Sequence, residues 1–167
     1  MKSLCYDSPL GPLLIVEDNG HITEISFLAA DTREKFHQPN PPSNQPGDAT
    51  IADACIKELK AYFAGNLKTF TVPIKPAGTD FRKRVWAALM DIPYGQTISY
   101  KQLAQNIGQP GASRAVGGAN NSNPISIIVP CHRVIGANGA LVGYGGGLDN
   151  KTFLLNLEKN ALTRGPQ

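Results

Sequence analysis

The period of the apolar positions changes about halfway along the chain. In the first third, short apolar runs at residues 2–6, 13–17 and 21–27 alternate with turn residues, as strands with one buried face do. Asp7-Ser8-Pro9-Leu10-Gly11 separates the first two runs and Asp18-Asn19-Gly20 the next two. Asn-Gly is a strong hairpin signal, because both residues tolerate the positive φ of a tight turn. A three-stranded antiparallel meander follows. Residues 39–47, rich in proline and asparagine, read as a mobile surface loop. Asp48 can then cap a helix whose apolar residues Ile51, Cys55, Leu59, Tyr62 and Phe63 recur every three or four positions, with Gly65 as its stop. Cys55 lies on that stripe and reads as packing.

Residues 71–78 carry two prolines and a glycine and read as a linker, giving one domain at 1–77 and another at 78–167. Beyond the linker the period is helical. Thr79 or Asp80 caps a helix through Met90, with Phe81, Val85 and Leu89 on one face, and Pro93-Tyr94-Gly95-Gln96 turns the chain. Ser99-Tyr100-Lys101-Gln102 is a capping box that opens a helix running to Gly108. Pro110 and Gly111 lead into a second helix over 112–120, dense in small residues. Two short helices joined by a glycine-containing turn describe a helix-turn-helix. DNA-binding modules and ordinary helical corners share that pattern. A last helix is expected over 150–159, with Asp149 as its cap.

Composition narrows the classes. The 167 residues are enough for one or two small domains with a real core. No stretch approaches the roughly 20 apolar residues of a membrane span, and the first residues lack the apolar segment of a signal peptide. Three widely spaced cysteines, Cys5, Cys55 and Cys131, exclude a full disulfide framework and suit a reducing, cytoplasmic compartment. No pair has zinc-finger spacing. Cys5 and His21 offer two ligands but no complete set, so neither a metal nor a cofactor is expected. Residues 1–77 hold seven Lys/Arg against nine Asp/Glu, and residues 78–167 hold nine against four. The net +3 is thus concentrated in the second half, which suits an anionic partner.

That half also contains the one stretch with the look of chemistry. In Asn123-Pro124-Ile125-Ser126-Ile127-Ile128-Val129-Pro130-Cys131-His132-Arg133, an apolar, strand-like run delivers a thiol beside an imidazole and a guanidinium. Such neighbours favour the thiolate, which is the nucleophile. A cysteine after Ile-Ile-Val is also commonly a small buried hydrophobe, and both readings stand. Successive strand side chains point to opposite faces, so either the chain bends after Pro130 or a water links Cys131 to His132. A histidine base is commonly oriented by a carboxylate, and Glu158, late in the last helix beside Leu154, Leu155 and Leu157, is a candidate. The loop Gly143-Tyr144-Gly145-Gly146-Gly147 lacks the ending of a phosphate loop. It reads as a flexible turn, or as a wall where backbone amides approach a ligand and Tyr144 stacks on something flat.

Together these pieces resemble the O6-alkylguanine-DNA alkyltransferases, also called methylated-DNA–protein-cysteine methyltransferases. Asp80-Phe81 through Val85-Trp86, Ile92-Pro93-Tyr94-Gly95, Ser99-Tyr100, Leu103-Ala104, Arg114-Ala115-Val116-Gly117, Asn123-Pro124, Pro130-Cys131-His132-Arg133-Val134, Gly143-Tyr144 and Gly146-Gly147 carry the resemblance across the second half. Asp7-Ser8-Pro9-Leu10-Gly11 agrees in the first. The resemblance implies an α/β N-terminal domain with a three-stranded antiparallel sheet, then a mainly α-helical C-terminal domain of winged helix-turn-helix type that binds DNA and accepts the alkyl group.

It further implies DNA repair by one irreversible transfer from O6-alkylguanine, and from O4-alkylthymine, to Cys131. His132 would act as base through a water, Glu158 would orient His132, and Asn123 would brace the turn. Tyr100, Val134, Tyr144 and Gly145 would surround the flipped base. Arg114 would replace that base in the stack, with Ala112, Ser113, Gly117 and Lys101 along the DNA. The expected partner is double-stranded DNA, held in the minor groove without sequence specificity by a monomer, with cooperative binding left open. A eukaryotic source would make the location nuclear. Some relatives carry serine where this chain has Gly145, so a roomier pocket is expected. Others bind zinc in the N-terminal domain, for which the ligand set here is partial. A cysteine hydrolase would use the same three side chains but would turn over, whereas a thioether would not. Alkyltransferase-like damage binders lack the cysteine, and a purely regulatory helix-turn-helix protein leaves Cys131, His132 and Glu158 without a purpose.

Overall fold

A computed structural model describes residues 1–32, 35 and 49–164, so the expected loop at 39–47 and the expected cap Asp48 lie outside the described residues. The chain forms two compact units, Met1–Pro76 and Ala77–Gln167.

In the first unit, β1 (Lys2–Ser8), β2 (Gly11–Asp18) and β3 (His21–Phe27) form an antiparallel meander in that order. Asn19 and Gly20, at φ 48° and 77°, make the expected tight turn between β2 and β3. Alternation along the strands sends Leu4, Leu13, Ile15 and Ile25 to one face, all buried, and Ile22 is buried beyond a register shift opposite Val16 and Glu17. Helix α1 (Ile51–Phe63) covers that face with Ala52, Cys55, Leu59 and Tyr62. Burying a residue such as Leu59 contributes roughly 1.5–3 kcal/mol.

Thr50 caps α1, in a reciprocal box with Asp53. The end is as expected: Gly65 takes φ 78°, the left-handed conformation that closes helices. Residues 71–75 are not a free linker. Ile22 N–H donates to Pro73 O at 2.8 Å and Lys75 N–H donates to Ile22 O at 2.9 Å. The Glu58 carboxylate accepts from Thr71 N–H at 3.0 Å. The prolines predict slack, but the backbone groups on either side of Ile74, Pro73 O and Lys75 N–H, pair with Ile22 at the edge of β3.

In the second unit, Thr79 caps α2 (Asp80–Met90), and Ser99 and Gln102 form the expected capping box on α3 (Tyr100–Asn106). Helix α4 (Ser113–Asn121) follows the turn at Gly108. Trp86 of α2 donates its indole N–H to Ala119 O at 2.8 Å, tying α2 to α4. The short strands β4 (Ile98–Ser99) and β5 (Val134–Ile135) pair in parallel.

Two expectations fail here. The apolar run 125–129 is not a strand but a buried turn in which Ile127 takes φ 74°. The last helix, α5, spans Leu148–Thr163 and starts from Gly147 at φ 92°, so Asp149 lies in its first turn rather than at its cap. A carboxylate there still suits the helix dipole.

Candidate active site

The acceptor candidate sits at a bend. Asn123 holds the turn before it, donating from Nδ2 to Val129 O at 2.8 Å and accepting Ile125 N–H at Oδ1 at 3.0 Å. Those two bonds help keep the β-branched Ile127 in a left-handed conformation that it disfavours. The chain then tightens into a 3-10 turn at Cys131–Arg133, which resolves the strand-geometry problem of adjacent Cys131 and His132. Asn120 of α4 donates to Cys131 O at 3.3 Å.

His132 is fully buried, and its Nε2 lies 2.7 Å from Glu158 Oε2. A carboxylate accepts, so Nε2 carries the proton in the tautomer this network assigns, leaving the Nδ1 lone pair as acceptor. Nδ1 is buried and has no hydrogen-bond partner among the described residues. Burial is the largest influence on the His132 pKa and lowers it, outweighing the opposite pull of Glu158. The ring is therefore a neutral base.

Glu158 shows the reverse balance. Burial would raise its pKa, but His132 and Arg133 together hold it below the usual carboxylate range. Arg133 grips the carboxylate with Nε at 2.6 Å and Nη2 at 2.5 Å, donates from Nη1 to Ile92 O at 2.8 Å, and lies 5.6 Å over the Tyr94 ring. The expectation that this guanidinium would favour a Cys131 thiolate is thus corrected, since Arg133 is committed to Glu158. Nor does Glu158 sit at the end of its helix, being five residues from Thr163.

Cys131 is 5 % exposed. Burial pushes its thiol up, while a hydrogen bond from Asn123, the charge of Lys151 and its own backbone amide pull it down. The balance leaves a protonated thiol. Any transfer from it needs a proton acceptor, and the buried Nδ1 of His132, one residue on in the chain, is the candidate.

The remaining candidates form two groups. Val134 is buried in β5, and Tyr100 donates its hydroxyl to Val142 O at 3.0 Å. Tyr144 is half-buried, and burial, then the charge of Cys131, drives its pKa well up. Gly143 takes φ 62°, where an added Cβ would come within 3.3 Å of Asn121 Nδ2 and 3.4 Å of the Tyr100 hydroxyl. Only glycine lets the wall approach this closely. Gly145 has room, because a Cβ there would meet only Asn121 O at 3.8 Å. Arg114 and Lys101 are exposed, and Ala112, Ser113 and Gly117 are half-buried at or on α4. A Cβ on Gly117 would lie 3.7 Å from the Tyr100 ring, which links the two groups. Among the described residues, no three His, Cys, Asp or Glu side chains cluster in a way that could hold a metal ion.

Sequence reasoning missed Lys151 and Asn120. Lys151 is buried and donates to Val134 O, Val142 O and Gly143 O. A signal was available: Lys151, Leu154 and Glu158 share one helical face, and a lysine on a buried face needs a reason.

Residues 80–160 match the family model described as 6-O-methylguanine DNA methyltransferase, DNA binding domain, and residues 1–76 match its ribonuclease-like domain. A methylated-DNA–protein-cysteine methyltransferase from Methanosarcina acetivorans is 51 % identical over 92 % of this chain and 95 % of its own. The crystal structure of the Mycobacterium tuberculosis O6-methylguanine methyltransferase superposes with a TM-score of 0.78 at 47 % identity, over 98 % of this chain and 94 % of that one. Mycobacterium tuberculosis OGT in complex with DNA gives 0.80 at 46 %, over 95 % and 93 %. No helix among the described residues is long and apolar enough to cross a membrane.

Proposed function

The chain belongs to the methylated-DNA–protein-cysteine methyltransferase family, and from that premise we propose that Cys131 is its alkyl acceptor. The protein repairs DNA by taking the alkyl group from O6-alkylguanine onto one of its own cysteines. O4-alkylthymine is the second substrate we assign.

The Cys131 sulfur attacks the alkyl carbon, and the carbon–oxygen bond breaks as the carbon–sulfur bond forms. The thiol proton goes to His132 Nδ1 through a water. Guanine leaves with the electron pair on O6 and regains its keto form by taking up a proton. Glu158 holds His132 in the required tautomer, and Asn123 holds the turn that presents Cys131. A thioether has no route back to a thiol here, so each molecule acts once.

A thiol cannot reach O6 inside a duplex, so the base must be flipped out, at a cost of a few kcal/mol. Tyr100, Val134, Tyr144 and the Gly145 backbone receive it. Arg114 fills the vacated space, while Ala112, Ser113 and Gly117 let α4 press on the minor groove beside Lys101. Phosphate contacts dominate such binding and carry no sequence information, which suits lesions that arise anywhere. The protein acts as a monomer, and binding curves steeper than a single-site isotherm would reveal cooperativity on DNA. Its free thiols suit a reducing, cytoplasmic setting.

The observation that carries this reading is the buried Nδ1 of His132, the residue that follows Cys131 in the chain, backed by an ionised Glu158. Incubation with duplex DNA carrying O6-methylguanine tests it. The peptide containing Cys131 should gain one CH2, up to one equivalent per protein, and Cys131→Ala should gain none. Intact lesion after long exposure to excess protein would sink the reading, and turnover beyond one equivalent would point to a hydrolase.

A further inference from the structure

A buried oxygen next to the Cys131 turn has no donor. Asn120, in the last turn of α4, is 1 % exposed. Its Nδ2 donates to Cys131 O at 3.3 Å. A carbonyl only accepts, so that bond fixes which way round the amide lies and leaves Oδ1 on the other side. Oδ1 is buried without a hydrogen-bond partner among the described residues. Folded proteins seldom leave such an oxygen unpaired, because burial strips its water and nothing replaces it.

Gly117 and Asn120 are three positions apart on α4 and share a face. A Cβ on Gly117 would lie 3.7 Å from the Tyr100 ring, and the Tyr100 hydroxyl donates to Val142 O at 3.0 Å. The ring therefore runs along this face of α4 from Gly117 towards the wall at Val142 and Gly143. The Asn120 amide lies in the corner between that ring and the Cys131 turn. Cys131 is itself almost fully buried, so the corner is as closed as the sulfur. A path that brings an alkyl carbon to that sulfur opens the corner as well.

On the reading that Cys131 is the acceptor, we propose that Asn120 is a specificity-determining residue: its Oδ1 takes a hydrogen bond from a hydroxyl on the transferred group. The site then favours hydroxyalkyl adducts such as O6-(2-hydroxyethyl)guanine over apolar chains of the same size. The transfer itself is unchanged. The sulfur bonds the first carbon, the C–O6 bond breaks with its electron pair left on guanine, and the thiol proton leaves through His132. The hydroxyl stays intact and donates to Oδ1. A methyl group carries no donor, so Oδ1 remains unpaired when methyl is transferred.

Single-turnover transfer from saturating duplex DNA tests this on the full chain. Three lesions are compared: the O6-(2-hydroxyethyl) adduct, the O6-n-propyl adduct of the same size, and the O6-(2-methoxyethyl) adduct, which keeps the oxygen but cannot donate. The wild-type rate for hydroxyethyl should exceed both others by about five- to tenfold, the worth of one hydrogen bond to a neutral buried group. In Asn120→Leu that preference should vanish. Losing the bond to Cys131 O slows all three lesions alike and cancels in the ratios, so a merely structural Asn120 would leave the preference in place.

If the leucine variant does not fold, Asn120→Ala removes the same oxygen without adding bulk and should give the same result. Equal rates for the three lesions in the wild-type protein, or a preference that survives in a folded variant, overturn the proposal. Wild-type protein that leaves no methyl on the Cys131 peptide after exposure to O6-methylguanine removes the premise itself, and mass mapping in the same assay reports this separately.

Discussion

Cys55 and Cys131 are both buried, and burial raises the pKa of both, yet only one sits in a site. Cys55 lies between Ala52 and Leu59 on the inner face of α1, where burial and the Glu58 charge push its thiol up to about 12. At Cys131 the same burial is opposed by Asn123, Lys151 and a backbone amide, and the next residue offers a buried lone pair. A buried thiol is inert by default. It gains chemistry only from neighbours that can accept its proton and carry its charge, and helix α1 presents an apolar face instead.

The sharpest way to break this contrast is to exchange the cysteines' fates. Cys131→Ala should abolish transfer altogether. Cys55→Ala should leave the yield at one equivalent per protein while lowering stability by about 1 kcal/mol, read as an earlier urea midpoint. Loss of transfer in Cys55→Ala at unchanged folding would erase the distinction.

The carboxylates near the two thiols come next. Glu158→Gln should slow transfer about 100-fold and destabilise by roughly 3–5 kcal/mol, because Arg133 is left buried without its anion. Glu58→Gln, beside Cys55, should leave transfer alone and cost within about 1 kcal/mol, as expected for the exposed contact to Thr71. Rapid-quench rates and urea unfolding on both variants separate the cases.

Acid and base distinguish the regions more gently. The His132 pKa is depressed below 6.5, chiefly by burial. Between that depressed value and 6.5 the unfolded chain binds a proton that the folded chain refuses, so stability should fall as pH drops below 6.5. Transfer should hold through that window and decline only as pH falls through the depressed value itself, where the folded ring takes up a proton and can accept no other. Cys55 acts on the other side: its folded pKa exceeds 9.0, so stability should fall as pH rises above 9. Urea midpoints across pH should show both arms, with Cys55→Ala shrinking the alkaline one and leaving the acid one unchanged.

The smallest effect belongs to Gly145. Its side-chain position is open, so Gly145→Ser should fold normally and shift the balance between benzyl and methyl adducts by less than about tenfold. Equal ratios in the two proteins would rule out the idea of a roomier pocket.

What could be read from the sequence was local. Asn19-Gly20, Ser99 with Gln102, and Thr79 act through groups within four residues, so their turns and caps stand in the structure as expected. Cys131 with His132 was equally visible. The errors arise where distant partners decide. Residues 125–129 have the composition of a strand, but Asn123 and the buried surroundings bend them into a turn. Residues 71–78 have the composition of a linker, but Ile22, some 50 positions earlier, pairs with Ile74. Lys151 escaped notice because its three acceptors lie 8, 9 and 17 positions away, and no spacing rule reaches that far. Adjacency in the chain pairs Arg133 with Cys131, whereas its partner Glu158 lies 25 positions on.

The protonated state of Cys131 has one further consequence. A protein that can react only once must keep until it is needed, and electrophiles small enough to meet any exposed thiolate are everywhere in a cell. With its thiol 5 % exposed and protonated, the molecule offers such electrophiles little to attack. In the proposed mechanism it is armed only when a flipped base fills the pocket and the proton has somewhere to go. Burial, which looks like a handicap for a nucleophile, works here as a safety catch.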